Sequence, residues 1–133
     1  MSRLTFVNLP VKDLAKAREF FTAVGFEFND QFADENTNCM VISDQAYVML
    51  HVEPTFEVYA EAPAADPSSA REVLVGLSAD SRADVDDLIG KVAAAGGSTG
   101  ELVEQGPMYM QAFHDLDGHR WSVTYMDMSE FSG

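Results

Sequence analysis

Cysteine, positive charge and long apolar runs are all scarce in this chain. A single Cys39 among 133 residues leaves no internal disulfide and suits a reducing compartment. Eight Lys and Arg stand against 22 Asp and Glu, a formal net charge of −14. Nucleic acid, which demands a basic footprint, is therefore not an expected partner. The acidity reads as a solvated, self-repelling surface, and the few lysines allow adaptation to high salt. No apolar run approaches the ~20 residues of a membrane-spanning helix, so no membrane partner is expected. Neither a G-x-S-x-G nucleophile elbow nor a phosphate-cradling glycine loop occurs. Met1-Ser2-Arg3-Leu4 leads straight into a strand without a charged-then-apolar export segment, so the expected location is cytoplasmic. The length and a hydrophobic content of 47% fit one globular domain over 1–133 with a sizeable core.

What the chain does contain is an internal repeat. Leu4 to Val11 reads as a strand, with Phe6, Asn8 and Pro10 on one face and Val7, Leu9 and Val11 on the other. Asp13 then caps a helix whose apolar residues Leu14, Ala17, Phe20, Phe21 and Val24 fall at helical spacing, and Gly25 ends it. Phe26-Glu27-Phe28 restarts an extended segment. Asn38–Ser43 and Ala46–Val52 pair around a turn at Asp44. The second half repeats the order. A strand spans Val73–Ala79, and Ser81-Arg82-Ala83-Asp84 resembles a capping box. A stripe of Val85, Leu88, Ile89 and Val92 precedes a stop at Gly96-Gly97, and strands follow near Ser98–Leu102, Met108–His114 and His119–Met126. Repetition of this kind constrains the whole fold. The expected class is α+β: two tandem βαβββ modules, 1–53 and 72–133, forming cupped mixed sheets with the helices outside.

Between the modules, 54–71 holds Pro54, Pro63 and Pro67 amid alanine, serine and acids, and reads as a linker or flap. Phe56 and Tyr59 are expected to anchor it on the protein, and a short helix at Ser68–Arg71 is allowed.

Two phrases carry a resemblance. Leu9-Pro10-Val11-Lys12-Asp13-Leu14, with Ala17-Arg18-Glu19-Phe20-Phe21 and Val24-Gly25-Phe26, is similar to the opening of the vicinal oxygen chelate superfamily. That superfamily includes glyoxalase I, bleomycin-resistance proteins and extradiol dioxygenases. Phe113-His114-Asp115-Leu116-Asp117-Gly118-His119-Arg120-Trp121 resembles its closing phrase, with Leu116 where Pro is common. The resemblance implies a homodimer. It also implies that a divalent metal, where present, is held by His or Glu from the first and last strand of each module. Carried onto this sequence, those positions are Phe6, Met49, Leu74 and Ser122. A benzene ring, a thioether, an isobutyl group and a neutral hydroxyl are poor donors for such an ion. The expectation is no metal and no cofactor.

Strand alternation puts Tyr47, Met49 and His51 on one face, and Ser122, Thr124 and Met126 on another. If the sheets turn those faces inward, a ligand cavity holds Phe6, Asn8, Tyr47, Met49, His51, Leu74, Ser122 and Thr124. The bland alternative is that these side chains simply fill the centre. His51 is the one weak candidate for a general base, having an unperturbed pKa of about 6.5. His114 and His119 flank the Asp115–Gly118 turn and are expected to cap it. Cys39 reads as a small core residue, and Met40, Met49, Met108, Met110, Met126 and Met128 as adaptable apolar filling. The leading functional expectation is a metal-free protein binding a small organic molecule. The alternative is a metal-dependent lyase or dioxygenase with relocated ligands, drawing on His51, His114, Glu53 or Glu104. A ligand-free interaction module is a third possibility.

Overall fold

A computed structural model describes residues 3–127 and 129, so Met128 and most of the C-terminal tail lie outside the described residues. The chain divides into two compact units, 1–66 and 67–133.

In the first unit, β1 (Thr5–Val11) leads into α1 (Leu14–Val24) and β2 (Glu27–Phe28), then β3 (Thr37–Val41), β4 (Ala46–Val52) and α2 (Glu53–Ala60). The sheet order is β1-β4-β3-β2. β1 runs parallel to β4, with Asn8 beside Met49 and Pro10 beside His51. β3 runs antiparallel to β4, with Thr37 beside His51. Asp13 caps α1 by accepting from the Lys16 amide, and Gly25 closes it at φ 117, a backbone state that glycine alone adopts cheaply. Ala17, Phe20, Phe21 and Val24 of α1 are buried. Leu9, Val11, Val48, Leu50 and Met40 are buried with them. These sheet residues alternate with the face that carries Asn8, Met49 and His51, so the core takes one side and leaves the other for a site.

The second unit repeats the topology with β5 (Val75–Ser78), α3 (Arg82–Ala94), β6 (Ser98–Gln105), β7 (Met108–His114) and β8 (Arg120–Met126), in the order β5-β8-β7-β6. Both sheets are thus four-stranded and mixed, as the repeat predicts. Ser81 accepts from the Asp84 amide, but Asp84 reaches back to the amide of Asp80 rather than Ser81. The box therefore closes on the residue before the N-cap. Val85, Ile89 and Val92 of α3 are buried along with Phe113, Trp121 and Val123; Leu88 sits at the margin.

Two expectations need correcting. The proline-rich 54–71 stretch begins as helix, since α2 starts at Glu53 with Pro54 in its first turn, where a missing N–H costs nothing. No helix forms at Ser68–Arg71, where Pro67–Ser69 is a turn. The second module's first strand is also shorter than Val73–Ala79. Leu74 precedes β5 and is 63% exposed.

Candidate functional site

The first unit holds an open cleft of about 490 Å³ lined by Asn8, Met49, His51, Phe56, Tyr59 and Ala60. Its floor is the sheet face opposite the core, supplied by β1 and β4; its wall is α2. Of the residues expected to line a cavity, Asn8, Met49 and His51 meet here. Phe6 and Tyr47 lie further along the same face, where their rings stack with centroids 5.4 Å apart. Tyr47 also donates its hydroxyl to the Asp44 carbonyl at 3.2 Å. Phe56, Tyr59 and Ala60 join the lining because 53–60 is helical. An apolar aromatic spacing at i and i+3 inside the proline-rich stretch was the available signal for that.

The polar part of the cleft is a three-residue chain. His51 is only 4% exposed. Its Nδ1 lies 2.8 Å from the Thr37 hydroxyl, and its Nε2 lies 2.8 Å from Asn8 Oδ1. The Asn8 amide nitrogen donates to the Phe6 carbonyl at 3.4 Å, which turns its oxygen toward the imidazole. The network therefore assigns the proton to Nε2, which donates to Asn8, while Nδ1 accepts from Thr37. Burial pushes the His51 pKa below its usual value, and the nearby Asp34 carboxylate opposes that in part. The ring is thus held neutral with both nitrogens engaged. A general base needs a free lone pair facing the substrate; in this arrangement His51 instead ties β3, β4 and β1 together and fixes the Asn8 amide. The Tyr59 ring lies over it with centroids 5.3 Å apart, although Tyr59 itself is 71% exposed.

In the second unit, Ser122 and Thr124 share the sheet face with Gly76 and Ser78 of β5 and with Ala112 and Met110 of β7. A Cβ on Gly76 would lie 3.4 Å from Ser122 Oγ, so these small residues pack closely. The Asp115 carboxylate secures the turn. Its Oδ1 accepts from the amides of Asp117 and His119 at 2.9 and 3.0 Å, and its Oδ2 accepts from the Trp121 indole N–H at 3.1 Å. Burial raises the Asp115 pKa above the ordinary carboxylate value, against the opposing pull of His119 and these donors. Cys39 is fully buried, and burial pushes its thiol pKa up, which suits a core residue and not a nucleophile.

The N-terminal 3–43 match the sequence profile of the bleomycin resistance protein-like N-terminal family. The comparison with curated proteins finds no match. Among solved structures, a hypothetical protein from S. aureus is similar at 28% identity and a TM-score of 0.80, covering 94% of this chain and 95% of its own. A glyoxalase/bleomycin resistance protein/dioxygenase family enzyme from Burkholderia phytofirmans is similar at 15% identity and a TM-score of 0.79, over 94% and 99% of the two chains. The fosfomycin resistance protein FosX from Mesorhizobium loti aligns over 100% and 97% at 16% identity and a TM-score of 0.65. The chain has the glyoxalase/bleomycin-resistance fold. The family match falls on the opening phrase of the resemblance to the vicinal oxygen chelate superfamily, and the likeness of fold extends over nearly the whole chain.

For a chain of this fold the metal question turns on donor chemistry. In the first unit, Phe6 and Met49 occupy the implied ligand positions, and the neighbouring His51 has both ring nitrogens engaged. In the second, Leu74 and Ser122 occupy them, and Gly76 is the β5 partner of Ser122. These residue types do not fit a divalent ion. Relocated ligands are not assembled either: among the described residues no group of three or more His, Cys, Asp or Glu converges. Glu104 pairs with Tyr109 near the opposite end of the β6–β7 hairpin from His114, and its carboxylate lies 3.8 Å from Arg82. No helix among the described residues is long and apolar enough to cross a membrane.

Proposed function

We propose that this glyoxalase/bleomycin-resistance-fold protein binds a small organic molecule in the cleft between α2 and the β1–β4 face, without a divalent metal. The observation that carries the reading is the lining itself. Two aromatic rings, a thioether, a methyl group and the His51 imidazole surround one amide whose orientation is fixed, with no Asp, Glu, Lys or Arg among them. An apolar concavity with a few convergent polar groups is the usual form of a small-molecule site. The Asn8 amide supplies directional recognition, and Tyr59 and Phe56 supply flat surface against which a ring can stack.

A thermal-shift screen with small aromatic compounds tests this. A ligand that binds the native state raises the melting temperature in proportion to its excess over Kd. At least one class should do so in the wild type and fail to in a Tyr59→Ala, Phe56→Ala double variant. No rise with any class ends the proposal. Elemental analysis of protein purified without chelators addresses the metal-free part, and a stoichiometric, tightly held divalent ion overturns it. We further propose a cytoplasmic homodimer acting as one domain over 1–133. Native mass spectrometry reports the oligomer and any retained small molecule in a single measurement.

A further inference from the structure

The second unit contains a cationic cluster that the cleft reading does not use. His114, at the end of β7, pairs in register with Arg120 at the start of β8 and with Ser98 at the start of β6. The chain entering the unit runs over the adjoining turn: a Cβ on Gly118 would lie 3.5 Å from the Pro67 ring. That path delivers Arg71 to the same place. Arg71 Nη2 lies 3.2 Å from His114 Nε2, and Arg120 Nη1 lies 3.4 Å from the same nitrogen.

Guanidinium only donates, so Nε2 must be the unprotonated nitrogen, and Nδ1 carries the proton toward the Ser98 hydroxyl at 3.2 Å. Two guanidiniums thus converge on one lone pair, which can satisfy one donor well. Among the described residues, no further partner takes the remaining donors of either fork. Among the described residues neither arginine has a carboxylate oxygen within ion-pair distance; the ion pairs present involve Arg18, Arg82 and Lys91. Such convergence is unexpected in a chain with eight bases and 22 acids, where a carboxylate partner would be the easy solution. Arg71 and Ser98 are exposed and Arg120 half-buried, so the cluster is open to solvent. It sits at one end of the sheet face that carries Ser122 and Thr124.

We propose that Arg71 and Arg120, braced against the neutral His114 imidazole, form a binding site for an oxyanion, a carboxylate or a phosphate. Two planar forks can grip such a group bidentately through charge-assisted hydrogen bonds. The site lies wholly within the second unit and stands or falls independently of the cleft in the first.

NMR titration of the full chain with inorganic phosphate and, separately, with acetate tests it, at ionic strength held constant with sodium chloride. The expected result is a saturable shift of the amides around His114 and Arg120 with at least one of the two anions, the two arms showing which oxyanion is preferred. Arg71→Gln and Arg120→Gln should each weaken binding on the order of tenfold, the effect of losing one charge-assisted hydrogen bond. Arg71 is exposed, so its variant should melt like the wild type. Linear, unsaturable shifts that chloride reproduces, or binding unchanged in both variants, overturn the proposal.

Discussion

The two units share a topology and spend their buried polar groups differently. In the first, the polar chain Thr37–His51–Asn8 lies on the open sheet face and ties three strands together. Aligned through the parallel pairs, Asn8 beside Met49 corresponds to Gly76 beside Ser122, so Asn8, His51 and Thr37 become Gly76, Thr124 and Met110 in the second unit. There the face is small or thioether-bearing, and the buried carboxylate of Asp115 has moved to the β7–β8 turn. A duplicated scaffold therefore keeps its backbone pairing while the side chains on one face diverge. The face is free to change because the core lies on the other side of each sheet.

The largest expected difference is in what each polar centre contributes to stability. Asp115→Ala strips the acceptor from two amides and a buried indole N–H, and should cost about 2–4 kcal/mol in chemical denaturation. His51→Leu leaves the Thr37 hydroxyl and the Asn8 oxygen without their partner, and should cost about 1–3 kcal/mol. If His51→Leu proves the costlier, the ranking of the two centres is reversed. A Thr37→Val, His51→Leu double variant should lose less than the sum of its parts, because the two residues share one hydrogen bond. Strict additivity would show that they act separately.

These contrasts were partly visible in the sequence. The repeat was legible because Asp13 with Gly25 and Ser81 with Gly96 bracket two helices of the same phase. The faces were legible because strands alternate with period two, which grouped Asn8, Met49 and His51 correctly. Thr37 was missed because its meeting with His51 depends on the β3–β4 register, set by the turn and not by either strand alone. Helix α2 was masked by Pro54, a residue that reads as a breaker although it suits a first turn. The approach of Arg71 to His114 depends on how the chain crosses the Gly118 turn, and no local pattern encodes it. Phe6 and Tyr47 were placed on the right face, but not at the cleft.

A third prediction sharpens the contrast through pH. His51 and His114 both have pKa values lowered by burial, His114 further by its two arginines. A folded pKa below the unfolded value of about 6.5 means that the unfolded chain takes up the proton first. Stability is then complete above pH 6.5 and declines as pH falls through and below it. Melting temperatures recorded from pH 8 downward should show this decline, and His51→Gln and His114→Gln should each flatten part of it. Asp115 has the opposite sign. Its raised pKa favours the protonated folded form, so its contribution falls as pH climbs above the ordinary carboxylate value of 3.8. Asp115→Asn should remove that trend, leave the His51 part of the decline intact and deepen the His114 part, because the Asp115 charge partly offsets the lowering of the His114 pKa.

The smallest effect concerns Glu61, which closes α2 with φ 55, a left-handed state that costs a side-chain-bearing residue roughly 1 kcal/mol. The paired helices α1 and α3 end instead with glycine at the positive angle, Gly25 at φ 117 and Gly96 at φ 99. Glu61→Gly should bring α2 into line with them, raising stability by up to ~1 kcal/mol less what the looser unfolded chain takes back. An unchanged or lower melting temperature would show that the strain is already balanced elsewhere.

The parallel pairing of Thr5–Val11 with Ala46–Val52 carries a consequence for synthesis. β1 emerges from the ribosome well before β4, so it has no parallel neighbour until nearly the whole first unit has been translated. Until then α1 and the β2–β3 pair must hold a sheet that lacks one of its two inner strands. A stall before Ala46 would leave a nascent chain with an unmatched apolar ribbon, which is the state that chaperones recognise and that aggregation exploits.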